Sequence, residues 1–225
     1  MINDGIVDIS VKEENAIEDF IKRLVNFSEH ITLQTDEEIC EKITQYSNQL
    51  SKNYGKYDLD DVLWRFVRWE KSNTGAVYYS EIETIVVNLD PCLDYSDPIN
   101  QQKIDSEKLF ELISHEWVHF KQNIAIKKSG KDGMHSVSRN IYKNTKYENI
   151  KWEQMAFAKQ ELDWIKRNLK ITSPSRILKH LKQNGLSDNW FESKLKQKNP
   201  KAYKSILKYA VMFVLRQMAR NDLNS

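Results

Sequence analysis

The chain has 225 residues, 40% of them hydrophobic and 11% aromatic, which is ample for a packed core and excludes wholesale disorder. Its 34 basic and 32 acidic side chains leave a net charge of only +2, a balance that argues against a dedicated nucleic-acid binder. The two cysteines, Cys40 and Cys92, fit no metal-binding spacing and read as reduced thiols.

Residues 13–29 place Ile17, Phe20, Ile21, Leu24 and Val25 at helical spacing, so an amphipathic helix is expected there. Thr35-Asp36-Glu37-Glu38 is a helix start with an acidic first turn, and the periodicity continues through Ile39, Ile43, Tyr46 and Leu50. From Asp61 the texture changes. Val62–Trp69 is rich in aromatic and β-branched residues and fits a strand or a short helix, with the strand preferred. Ser72-Asn73-Thr74-Gly75 is a turn signal, and Val77–Leu89 is the strongest strand in the chain, so the two segments are expected to pair as a hairpin. A loop over Asp90–Pro98 follows, and Asp105 or Ser106 can cap a long helix to about Lys128. Gly130 to Lys146 is irregular and polar. A second long helix is expected from about Tyr147 to Leu169, another from Ser173-Pro174, and a last one over 199–220. Trp152 and Trp164 read as helix-packing residues, His30 and His180 as structural or exposed. The lysine-rich stretches at 179–182 and 194–198 read as solvated helix faces, with a weak nucleic-acid or anionic contact as the sharper alternative.

The chemistry is concentrated in His115-Glu116-Trp117-Val118-His119. Histidines four apart on a helix leave it on one face, one turn apart, and their neutral imidazoles can share one zinc ion. A glutamate directly after the first histidine lies about 100° round the helix, placed to act as general base on a water activated by the metal. On this projection Phe110, Ile113, Trp117, Phe120 and Ile124 fall about 140–220° from His115, so one face is expected to anchor in a core while the other presents the histidines.

Leu109–Gln122, carrying this H-E-x-x-H, resembles the active-site helix of the zincin metallopeptidases, and the resemblance extends over about residues 75–160. The metzincin branch would need a glycine and a third histidine where Gln122 and Ala125 stand, so it is excluded. In the gluzincin branch a glutamate on a following helix is the third ligand, and Glu148, Glu153 and Glu161 are candidates. Glu153-Gln154-Met155-Ala156-Phe157-Ala158 is similar to the E-x-x-A-x-x-A pattern of the small ImmA/IrrE-like peptidases, which singles out Glu153. The resemblance implies one Zn2+ per chain held by His115, His119 and Glu153, with Glu116 as catalytic base and a peptide or protein as substrate. His135, Arg139 and Tyr142 are candidates for stabilising an oxyanion.

The expectation is therefore an α+β protein: a small, mostly antiparallel sheet on an active-site helix and a third-ligand helix. Residues 1–170 would form the zincin-like domain and 171–225 a helical extension. With neither a signal-peptide pattern at Met1–Asp8 nor an apolar run near the length of a membrane span, a cytoplasmic protein with no membrane partner is expected, and a nucleic-acid partner is not. A metal-stabilised scaffold that binds a protein or nucleic acid with little hydrolysis is the alternative.

Overall fold

The structure is a computed structural model that describes residues 9–31, 35–69, 74–93, 103–130, 133–134, 145–146, 149–187 and 195–223. The chain divides into two compact units, one of Ile9–Ile124 and one built from Ala125 onward.

In the first unit, α1 (Val11–Glu29) opens with a capping box: Ser10 Oγ accepts from the Glu13 N–H, and the Glu13 carboxylate accepts from the Ser10 N–H at 2.8 Å. Thr35 and Glu38 repeat the device at the start of α2 (Asp36–Ser51). The two helices bury Phe20, Ile21 and Leu24 on one side and Cys40, Ile43 and Leu50 on the other.

Three strands follow: β1 (Leu63–Val67), β2 (Ala76–Tyr79) and β3 (Thr84–Asn88), in spatial order β1-β3-β2. The α+β class is as expected, but the sheet is mixed rather than mostly antiparallel. β1 runs parallel to β3, Leu63 opposite Thr84, and only β2 is antiparallel to it, Ala76 opposite Val87. The expected hairpin between the 62–69 and 77–89 segments does not form. Instead the long Val77–Leu89 run breaks at Ser80–Glu83, where Glu83 takes a left-handed φ of 48° and turns the chain back on itself. β3, buried at every residue, then occupies the centre, where both of its edges are paired.

The outer edge of β1 is closed by side chains of α2. Asn48 Oδ1 accepts from the Trp64 N–H at 2.9 Å, its Nδ2 donates to the Trp64 carbonyl, and Thr44 Oγ1 accepts from the Phe66 N–H at 2.9 Å. Backbone groups that would otherwise template another strand are thereby satisfied. Trp64 points inward, against Phe20 and parallel to the Trp117 ring.

α3 (Ser106–Lys128) begins at Asp105, whose carboxylate accepts from the N–H groups of Glu107 and Lys108. Its faces are not divided as the projection implies. Ile113, Trp117 and Phe120 are buried, but so are Ser114, His115, Glu116 and His119 opposite them, while Ile124 is only half-buried. Periodicity reports where apolar side chains lie; it does not report whether a polar face is also covered.

The second unit is helical among its described residues: α4 (Lys151–Asn168), α5 (Pro174–Asn184), α6 (Leu195–Lys198) and α7 (Pro200–Leu223). Met155, Leu162, Ile165, Ile177, Ile206 and Val214 form its core, with Trp152 and Trp164 packed against it as expected. α5 starts with Pro174 in its first turn and stops at Gly185, whose φ of 77° and lack of a side chain let Tyr203 approach. The Tyr203 hydroxyl accepts from the Leu186 N–H at 3.0 Å, tying the end of α5 to α7. No helix among the described residues is long and apolar enough to cross a membrane.

Candidate metal site

His115 and His119 project from the same side of α3, one turn apart, with ring centroids 4.9 Å apart and planes at 76°. Their Nε2 atoms face each other at 3.2 Å. Two nitrogens each about 2.0–2.1 Å from a tetrahedral ion would be about 3.3–3.4 Å apart, so the pair is already at chelating separation. His119 is further oriented by Gln122, whose Oε1 lies 3.0 Å from His119 Nδ1. An amide oxygen only accepts, so Nδ1 carries the proton and Nε2 keeps its lone pair for the site.

Glu153, in the first turn of α4, is 2% exposed, against 7% for His115 and 5% for His119. One donor atom from each of the three residues lies within 4.8 Å of the others, a buried His-His-Glu group that could hold a metal ion. The chemistry of this set fits zinc: two imidazoles and one carboxylate, in a site with a tautomer-fixing partner behind one ligand.

Glu116 is also buried, and its carboxylate is turned toward the sheet. Oε2 accepts from the Tyr78 N–H at 2.7 Å. That N–H lies on the outer edge of β2: the Asn88 N–H donates to the Gly75 carbonyl, and alternation along an antiparallel strand then directs the groups of Ala76 and Tyr78 away from β3. Tyr78 is fixed from its other end by Asn123, whose Nδ2 donates to the phenol oxygen at 2.9 Å. Burial drives the Tyr78 hydroxyl well above the usual tyrosine range, so it stays protonated.

Of the other acidic candidates, Glu161 has a structural task. Its two oxygens accept from the N–H and the hydroxyl of Ser187, both at 2.8 Å, holding the segment after α5. Glu148, His135, Arg139 and Tyr142 lie outside the described residues. His180 receives a contact from Asn184 within α5, and His30 bonds the Asn26 carbonyl at the end of α1, in keeping with structural roles for both. Cys40 and Cys92 are buried and unpaired, and burial pushes their thiols up to about 11 and about 12. Sequence reasoning missed Tyr78 and Gln122. Gln122 had a signal, since it stands three residues after His119 on the same helical side. Tyr78 had none, because its contribution is a backbone N–H supplied by strand register.

An open groove of about 940 Å³ lies between α2 and β1, bordered by Cys40, Thr44, Arg65, Arg68 and Ile82. None of its lining residues belongs to the histidine pair or its partners. No family model matches the chain, and no curated protein or solved structure matches it either.

Proposed function

We propose that this chain is a zinc-dependent hydrolase of the gluzincin type, acting on peptide bonds. The observation that carries the reading is the buried His115–His119–Glu153 group, with two Nε2 atoms at chelating separation and a glutamate directly following the first histidine. Zinc in such a site polarises a carbonyl and makes water a nucleophile near neutral pH. Glu116 is the base that would take the proton. With Oε2 held by the Tyr78 N–H, its other oxygen is left to accept a proton and to return it to the leaving amine. With the Tyr78 N–H taken by Glu116, the outward N–H and carbonyl of Ala76 and the carbonyl of Tyr78 would pair with an extended substrate.

A second reading is favoured by one observation: Glu116 and both histidines are buried. A metal enclosed in this way can serve as a scaffold's clamp, with hydrolysis slight. Glu116 separates the two, because a structural site has no use for a base beside its ligands.

The test compares purified wild type with His119→Ala, Glu153→Ala and Glu116→Gln, by elemental analysis and by cleavage of a mixed peptide library. About one zinc per chain, lost in the first two variants and retained in the third, is the expected metal result. Loss of cleavage in Glu116→Gln by a factor of about 100 or more is the expected kinetic one. Zinc bound normally with no peptide cleaved by wild type would establish the scaffold. A wild type that takes up no zinc would overturn both readings.

A further inference from the structure

The net charge of +2 conceals a strong division along the chain. Residues 166–225 contain fourteen Lys and Arg against three Asp and Glu, a net +11, so residues 1–165 stand at −9. Segregation on this scale is one signature of an anionic partner, a nucleic acid or a membrane surface. The structure shows where the positive charge goes. α5 exposes Arg176, Lys179 and Lys182 opposite its buried Ile177 and Leu181. α6 exposes Lys196 and Lys198, and the first half of α7 exposes Lys201, Lys204 and Lys208 while burying Ala202, Tyr203 and Ile206.

These helices meet at Tyr203. Its hydroxyl takes the Leu186 N–H just past the end of α5, and the Lys196 ammonium lies 5.6 Å from the centre of its ring. Lys196 thus lies at a junction of three elements, with Lys182 exposed in the last turn of α5 and Lys204 exposed next to Tyr203 in α7. Among the described residues no carboxylate pairs with any of these three, nor with Lys179, Lys201 or Lys208. A solvated helix face normally interleaves both signs; among the described residues of these helices the exposed charges are of a single sign.

We infer that α5, α6 and the first half of α7 form a binding surface for nucleic-acid phosphates. The cations are almost all lysines, point charges suited to phosphate rather than to bidentate reading of base edges, so binding would be independent of sequence. The residues exposed between them, Ser175, Gln183, Asn184 and Gln197, are hydrogen-bonding rather than apolar. A helix that lies in a membrane surface carries large exposed apolar side chains instead, and here Ile177, Leu181, Leu195 and Ile206 are buried. The inference does not rest on the metal site.

The test is fluorescence anisotropy with a labelled 25-base-pair duplex of arbitrary sequence, titrated with the full chain at 50, 100 and 200 mM NaCl. With about four to five phosphates contacted, the log–log salt slope should be about −4, a loss of roughly 250-fold in affinity across that range. Lys182→Glu/Lys196→Glu/Lys204→Glu should weaken binding at 50 mM by at least tenfold and make the slope shallower by about 2–3. The milder triple Gln variant should shift both in the same direction, and circular dichroism checks that each variant is folded. The equally exposed Lys12, Lys42 and Lys52, changed together to Glu, should leave binding unchanged. No binding at 50 mM, or binding that the junction variants do not alter, would overturn the inference. So would preferential capture by vesicles of 70% phosphatidylcholine and 30% phosphatidylserine, lost in the junction variants, which would assign the surface to a membrane.

Discussion

A single amide decides how His119 is presented. Imidazole has two nitrogens and a free ring can protonate either, but the Gln122 oxygen at 3.0 Å selects the form with the proton on Nδ1. Without it, the ring must pay for selecting that tautomer and for holding its angle when the ion arrives. Gln122→Ala should therefore still bind one zinc per chain but with affinity reduced about 10–100-fold, the usual effect of losing an orienting partner. Gln122→Glu keeps an acceptor at the same reach and should recover most of it. Competition against a chromophoric chelator measures both. Equal affinity in wild type and Gln122→Ala would show that the ring is held by other contacts. The contrast with Glu153→Ala matters here, because loss of a ligand should abolish binding rather than weaken it.

At the level of elements, α3 is anchored by Lys121 as much as by its apolar face. The Lys121 ammonium pairs with Glu13 in the first turn of α1 at 2.8 Å and with Asp58 at 2.5 Å, and lies 5.5 Å from the centre of the Trp117 ring. Burial pushes the Glu13 carboxyl up, but Lys121 and the N–H and hydroxyl of Ser10 outweigh it and hold the group below its ordinary 4.5. Burial likewise acts to lower Lys121, and its two carboxylate partners more than reverse that, leaving it above 10.5. The Glu13 contribution to stability is thus complete above about pH 4.5 and is lost as the pH falls through its depressed folded value; the Lys121 contribution is complete below about pH 10.5 and is lost on the alkaline side. Lys121→Met should cost about 2 kcal/mol at pH 7, between the values for exposed and fully buried pairs. It should also flatten the decline in urea midpoint between pH 5 and pH 3, and an unchanged acid slope would remove Glu13–Lys121 as its cause. Helices such as α1, α2 and α3 were legible in the sequence because caps and apolar periodicity are local. The strand pairing was not. The polar run Ser80-Glu81-Ile82-Glu83 carries no Gly, Pro, Asn or Asp to mark a turn, and the parallel contact of β1 with β3 is made over some twenty residues of chain.

For the molecule as a whole, an average conceals a distribution: the charge of +2 is the sum of −9 over residues 1–165 and +11 over residues 166–225. The buried His-His-Glu group was legible in the sequence. His115, Glu116 and His119 declare themselves by spacing, and Glu153 by the small residues after it, yet their burial could not be read from a helical projection. The group has a thermodynamic consequence. An unfolded chain has no preformed site, so zinc binding free energy would appear largely as folding free energy. At a free zinc concentration about 100 times the dissociation constant the gain is about 2.7 kcal/mol. For a chain of this size that corresponds to a rise in melting temperature of about 5–11 °C. Differential scanning calorimetry in buffered zinc, against the same protein in chelator, should show this rise for wild type and for Glu116→Gln. His119→Ala and Glu153→Ala should show almost none, since the rise requires the ligands and not the base. A rise that survives removal of His119 or Glu153 would place the ion elsewhere and separate the H-E-x-x-H helix from metal binding altogether.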